Sequence, residues 1–146
     1  MAFALDPYDE CGFCRYIRRE AFYAVIVENE LAVGFVNHRQ YERGATLVIP
    51  RRHVETILDA TDAELAAMAQ LARKLAVAAE RGLGAIAANV FQNNGVKAGQ
   101  HVPHMHVHVV PRYPESDPEK LFLQRNFSII SSEDLQAIAD ELKRSL

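Results

Sequence analysis

Short stretches of alternating or continuous apolar residues, broken by polar turns, dominate the first half of the chain, and a long helical period follows. Residues 22–27 (Phe-Tyr-Ala-Val-Ile-Val) are aromatic and β-branched, the composition of a strand. Glu28-Asn29-Glu30 predicts a turn, and residues 31–36 return as the second strand of a hairpin. After Glu42-Arg43-Gly44, residues 46–49 predict a third strand, ended by Pro50. Thr61-Asp62-Ala63-Glu64 has the form of a capping box, in which the threonine oxygen accepts from an early amide and Glu64 reaches back. The Ala- and Leu-rich stretch that follows keeps a helical period through Arg81, where Gly82 and Gly84 predict its stop. Residues 86–91 predict a fourth strand, residues 93–100 a glycine-containing loop and residues 105–110 a fifth strand. A polar loop with prolines 114 and 118 then leads to an amphipathic helix over residues 131–146, opened by a serine cap. Several consecutive strands with one long helix predict an α+β fold: a five-stranded antiparallel sheet, the long helix and a C-terminal helix. No repeat, linker or low-complexity tract divides the chain, so residues 1–146 read as a single domain.

Composition narrows the function. A length of 146 residues allows one real core and not two. A net charge of -3 argues against a nonspecific nucleic-acid or anionic-membrane binder, while leaving room for local positive groups around a small ligand. No apolar run approaches the roughly 20 residues that span a bilayer. Residues 1–7 lack the basic start and apolar stretch of a signal peptide, which predicts a cytoplasmic protein. In that reducing compartment a disulfide between Cys11 and Cys14 is not expected.

Four of the six histidines, His101, His104, His106 and His108, fall within one short stretch. On a strand, alternate side chains share a face. His104, His106 and His108 therefore line one face, and Met105, Val107 and Val109 pack behind them. Three imidazoles in a row must each be neutral or have a partner. The arrangement suits metal ligation, or attack by a neutral ring nitrogen on an electrophile such as phosphorus. Solvated strand histidines would be an ordinary reading for one such residue, and a weaker one for three at period two beside a glycine loop. Small β-barrel metalloproteins pair His-x-His with a nearby glutamate, but Pro111 and Arg112 stand at the corresponding places here.

The run His104-Met105-His106-Val107-His108-Val109-Val110 resembles the defining pattern of the histidine triad family of nucleotide hydrolases and transferases. Residues 31–37, residues 46–50 with Arg51-Arg52-His53, the loop from Asn93 to Gln100 and the closing Pro111-Arg112 extend the similarity over about residues 11–112, leaving 113–146 as an extension. The resemblance implies that His106 attacks the α-phosphorus of a nucleoside phosphoramidate, phosphosulfate or dinucleoside polyphosphate. A covalent nucleotidyl-histidine forms, and water or another acceptor resolves it. His108, Asn93 and the backbone of Gly99-Gln100 would hold phosphate oxygens. Asn37 would contact ribose, and Phe13, Tyr16, Phe35 and His38 would surround a purine base; for Phe13 and Phe35, ordinary core packing is an equal reading. A homodimer joined edge to edge is also implied. Two departures from the family pattern stand out: Ala45 replaces a common histidine that, by the resemblance, would support the nucleophile, and His101 stands where a Ser or Thr often meets the leaving group. His101 is therefore a candidate proton donor.

Cys11-Gly12-Phe13-Cys14 has three readings. A redox pair should follow a strand, and none precedes it. Two buried thiols would be unremarkable. Half of a zinc site needs two more ligands, and the resemblance supplies them: zinc-bearing relatives use such a Cys pair with the positions of His53 and His104. This implies a structural zinc, closed by four protein ligands. A noncatalytic nucleotide-binding module and a zinc-organised interaction protein are the alternatives to an enzyme, and neither substrate nor choice of adenine over guanine is written in the sequence.

Overall fold

The computed structural model describes residues 2–120 and 127–146; positions 1 and 121–126 of the expected domain lie outside the described residues. Its elements are α1 (Gly12–Ile17), β1 (Val25–Glu28), β2 (Ala32–Val36), β3 (Arg39–Gln40), β4 (Thr46–Pro50), α2 (Asp62–Leu83), β5 (Ala87–Gln92), β6 (Val107–Arg112), β7 (Ser128–Ile129) and α3 (Ser132–Lys143). The five expected strands form one antiparallel sheet in the order β1-β2-β4-β6-β5. The α+β expectation holds, with each strand displaced by one to three residues at its ends.

The β1–β2 turn closes because Asn29 Oδ1 accepts from the amides of Leu31 and Ala32 at 3.0 and 2.8 Å, the side-chain turn that Asn makes readily. Gly34 lets α2 lie low on the sheet: a Cβ there would stand 3.0 Å from Leu75 Cδ1. Met68, Leu71, Leu75 and Ala78 of α2 then bury against Ile26, Val36, Val48 and Val109. Each large side chain buried in this layer is worth roughly 1.5–3 kcal/mol. The residues of opposite parity, Val33, Phe35, Leu47 and Ile49, form a second, smaller cluster with Phe13 of α1.

The capping box forms, with Thr61 Oγ1 accepting from Glu64 N at 3.2 Å and Glu64 Oε2 from Thr61 N at 2.9 Å. Arg52 adds a fork, donating from Nε and Nη2 to the two Glu64 oxygens at 2.9 Å each. The Arg52 guanidinium, aided by Thr61, holds the Glu64 carboxyl down to about 2. The connection carrying His53 is thereby tied to the start of α2. Glu64→Ala should lower the free energy of unfolding by about 2–3 kcal/mol in urea titrations, combining a lost cap with a lost charge-assisted pair. Because the folded carboxyl titrates below the unfolded one, this stabilisation is complete above the ordinary pKa of 4.5 and fades as pH falls toward 2. The gap between wild type and variant should close across that window.

Some expectations need correction. Gly82 does not stop the long helix: it lies within α2, and the cap is Gly84, at φ 71°. A Cβ at Gly82 would meet Ser145 Oγ at 2.5 Å, so its smallness admits the end of α3. That C-terminal helix packs on α2, β1 and β2 of its own chain. Neither α1 nor the β3–β7 ribbon, which pairs Arg39 with Ile129 and Gln40 with Ser128, was foreseen. Among the described residues no helix is long and apolar enough to cross a membrane.

Candidate active site and metal cluster

Strand parity carries the histidines to the α1 face. His108 pairs with Leu47 of β4 and Phe91 of β5, while Met105, Val107 and Val109 turn to the α2 core. The expected alternation is present, although the regular strand begins at Val107 and His104–His106 lead into it. All three rings are buried, at 0, 6 and 8% exposure. Burial pushes their pKa values down, to about 4 for His104 and about 3 for His108, and in the same direction for His106. All three are neutral near pH 7.

Their hydrogen bonds distinguish them. His104 Nε2 donates to Pro50 O, and His106 Nδ1 donates to His104 O, both at 2.8 Å. A carbonyl only accepts, so each proton is placed, and His106 presents a bare Nε2. His108 stacks on Phe91 at 4.5 Å and 6°, 5.0 Å from the His106 ring. Its buried Nδ1 has no partner among the described residues. Ala45, buried and without a polar side-chain atom, lies two residues before Leu47, the β4 partner of His108. The His104 carbonyl orients His106.

In the glycine loop, Gly95 and Gly99 adopt φ of 89° and 88°, a conformation open to glycine without strain. Gln100 is used up in shaping the loop: Oε1 accepts from Gly95 N at 2.7 Å, and Nε2 donates to Glu55 O at 2.7 Å and Val102 O at 3.0 Å. The Gly99 amide is likewise engaged, donating to Val96 O at 3.0 Å. Asn93, by contrast, makes no side-chain hydrogen bond among the described residues, and its Nδ2 borders Gly99. Exposed His101 follows the loop, near enough for its charge to depress the pKa of His106 further.

Of the expected base and ribose residues, Phe13 reaches the centre, meeting His106 edge-on at 5.3 Å. Tyr16 stacks on Tyr23 at 5.1 Å. Phe35, only 2% exposed, is enclosed by Phe13, Tyr16 and Tyr23 and supports that layer from within. Asn37 is buried, its Oδ1 accepting from Arg39 N at 3.0 Å, and His38 beside it is exposed. Tyr41 was missed: its ring meets His108 at 6.3 Å and Phe127 at 5.6 Å. A two-residue ribbon carries no period that could have signalled it.

The cysteines, both free, meet two histidines. Cys11 caps α1, its Sγ accepting from Cys14 N at 3.4 Å, and this turn brings both sulfurs together. Cys14 Sγ lies 3.2 Å from His53 Nδ1, and both sulfurs lie 3.5 Å from His104 Nδ1. All four donor atoms fall within 4.8 Å of one another. Around a tetrahedral ion with sulfur at about 2.3 Å and nitrogen at about 2.0 Å, the two donor types stand roughly 3.5 Å apart. The four residues could therefore hold a four-coordinate metal ion. Burial, then Cys11, raises the Cys14 thiol to about 11, so a cation is needed to draw off its proton.

A family model described as the HIT domain matches residues 18–115. The chain belongs to the HIT domain family. This HIT protein is 33% identical over 138 residues to Protein hit of Bacillus subtilis, covering 94% of this chain and 95% of that one. It is 36% identical over 112 residues to the asymmetrical bis(5'-nucleosyl)-tetraphosphatase of Schizosaccharomyces pombe, covering 74% of this chain and 62% of that one. The structure of a zinc-bound histidine triad family protein from Mycobacterium smegmatis aligns with a TM-score of 0.77 and 32% identity, covering 92% of this chain and 94% of that one. The HIT match includes His53 and the triad and begins after Cys11 and Cys14. The cysteine half of the metal cluster therefore stands on geometry.

Proposed function

We propose that this HIT protein is a nucleotide hydrolase or transferase acting at the α-phosphate of nucleoside phosphoramidates or dinucleoside polyphosphates. The observation that carries the reading is His106: buried, neutral, its Nδ1–H held by the His104 carbonyl and its Nε2 bare. Nε2 forms a bond to the α-phosphorus while the bond from phosphorus to the leaving nitrogen or oxygen breaks. The leaving group departs with that electron pair and takes a proton from His101. Water then attacks the phosphorus of the nucleotidyl-His106, losing a proton to His101 and releasing the nucleotide. Asn93 and His108 hold the nonbridging oxygens, Asn37 meets the ribose, and Phe13, Tyr16 and His38 border the base. The tetraphosphatase activity named for the S. pombe relative supports this substrate class.

Incubation with a fluorogenic adenosine phosphoramidate tests it. Turnover that depends on His106 supports the enzyme, binding without turnover supports a nucleotide-binding module, and neither supports an interaction protein. His101→Ala should slow alkylamine leaving groups by about 10²-fold or more and change activated aryl leaving groups little, since only poor leaving groups need the proton. Equal effects on both would remove that role.

Structural zinc at Cys11, Cys14, His53 and His104 belongs to the same reading, supported by the donor spacing and by the zinc-bound M. smegmatis relative. When bound, zinc would hold α1 against the catalytic strand; its four protein ligands complete a tetrahedron and leave the chemical step to His106. We also propose a homodimer through β5. This edge strand exposes Val90 at 53%, with Ile86 just before it at 68%, beside an apolar groove lined by Leu65, Ala69, Ala72 and Ala76 of α2. Pairing two β5 edges would cover both. Light scattering should give twice the chain mass, and Val90→Asp should give the monomer.

A further inference from the structure

We infer that Tyr8, backed by Glu55, is the outer partner that fixes the His53 ring for metal binding; the inference rests on the zinc reading of the four-residue cluster. Tyr8 donates its one hydroxyl proton to Glu55 Oε1 at 2.7 Å. With that proton committed, the Tyr8 oxygen can only accept from His53 Nε2, 3.1 Å away. The His53 hydrogen therefore stands on Nε2, and the lone pair on Nδ1, the atom 3.2 Å from Cys14 Sγ. His104 reaches the same tautomer through the Pro50 carbonyl. Two metal-facing Nδ1 atoms are thus prepared by two unrelated partners.

The two arrangements differ in how they can fail. The Pro50 carbonyl is backbone and its bond to His104 is buried. His53 has a side chain 36% exposed and lies 3.9 Å from Glu55 Oε1, beyond a hydrogen bond, so Tyr8 bridges the gap. Without the hydroxyl, no other hydrogen bond among the described residues keeps hydrogen off Nδ1. Without the Glu55 acceptor the outcome is worse, because Tyr8 becomes free to donate to Nε2 and force the hydrogen onto the ligand nitrogen. The segment bearing Tyr8 is itself anchored upstream, where Ala4 O accepts from Val96 N of the glycine loop at 2.8 Å. Residues 4–8 thus run from that loop to the metal cluster. Outer partners of ligating histidines commonly set both tautomer and affinity.

Zinc affinity of the full chain, measured by competition with a chromogenic chelator, tests the inference. Tyr8→Phe should raise the Kd roughly 10–100-fold, and Glu55→Ala should raise it as well. Glu55→Gln, which keeps an acceptor oxygen, should stay within about threefold of wild type. Long-range nitrogen–proton NMR of the zinc-stripped protein gives a readout that packing alone would not move. His53 should be an Nε2–H tautomer in wild type and Glu55→Gln and a mixture in Tyr8→Phe, while His104 stays Nε2–H throughout. Zinc uptake and a His53 tautomer both unchanged in Tyr8→Phe would overturn the inference alone. A wild-type protein that takes up no zinc would overturn the metal reading and this inference together.

Discussion

Replacing His106 by alanine lowers turnover of an adenosine phosphoramidate by at least roughly 10⁴-fold, the scale of removing a covalent nucleophile. The expectation follows from what else stands nearby. His104 turns its Nδ1 toward the cysteines and donates its other nitrogen to Pro50. His108 is 5.0 Å from the His106 ring and stacked on Phe91, so it cannot swing into the same line of attack. Neither neighbour substitutes. Nucleotide binding should survive, because Asn93, His108 and the aromatic layer are untouched, and a tritiated or fluorescent nucleotide would report a Kd within about threefold of wild type. Two further signatures separate a covalent route from direct attack by water. Wild type quenched in alkaline denaturant, where a phosphorus–imidazole bond survives, should carry labelled nucleotide on His106, and a chiral thiophosphoryl substrate should be hydrolysed with retention, since two in-line displacements invert twice. Net inversion, or alanine-variant turnover within tenfold of wild type, would sink the nucleophile assignment.

What the sequence disclosed about this site follows a physical division. Period and capping chemistry are local, so the five strands, the Thr61–Glu64 box and the Ser131 cap were all legible. The His104–His106–His108 alternation was legible for the same reason, because parity on a strand needs no knowledge of its neighbours. Contacts made across the fold were not. The backbone of Gly99-Gln100 reads as a phosphate contact in a glycine loop, yet both amides donate within the loop, to Val96 O and Gly95 O, and the Gln100 carboxamide is consumed by Gly95, Glu55 and Val102, contacts set by how this loop folds onto the one carrying Glu55. Ala45 reads as a lost support for His106, whereas the His106 Nδ1 hydrogen is held by the backbone carbonyl of His104, a contact that needs no side chain at position 45. The six-residue α1 and two-residue β3 and β7 are too short to show a period. They are nonetheless what bring Cys11, Phe13 and Tyr41 to the triad.

Stripping the metal, or replacing Cys11 by serine, should lower the thermal midpoint by roughly 8–16 °C. Zinc at about 1,000 times its Kd adds about 4 kcal/mol to the folded state by mass action, and a chain of this length shifts by about 2–4 °C per kcal/mol. The loss should be local in structure. The α2 layer contains no metal ligand among its buried residues, so the sheet and the long helix should keep most of their far-ultraviolet signal. A six-residue helix has no stability of its own, so α1 should loosen first and take Phe13 from its 5.3 Å contact with His106. Hydrogen exchange at residues 12–18 should therefore rise before exchange in β4 or β6, and turnover should fall along with it. Binding requires thiolates and neutral imidazoles, so zinc displaces protons and its stabilisation weakens as pH falls. The chelator-sensitive part of the midpoint should accordingly shrink in acid and be restored by returning to neutral pH with added zinc. Purified protein lacking zinc, with a midpoint indifferent to both chelator and Cys11→Ser, would remove the metal from the account and leave α1 held by Phe13 and its aromatic neighbours alone.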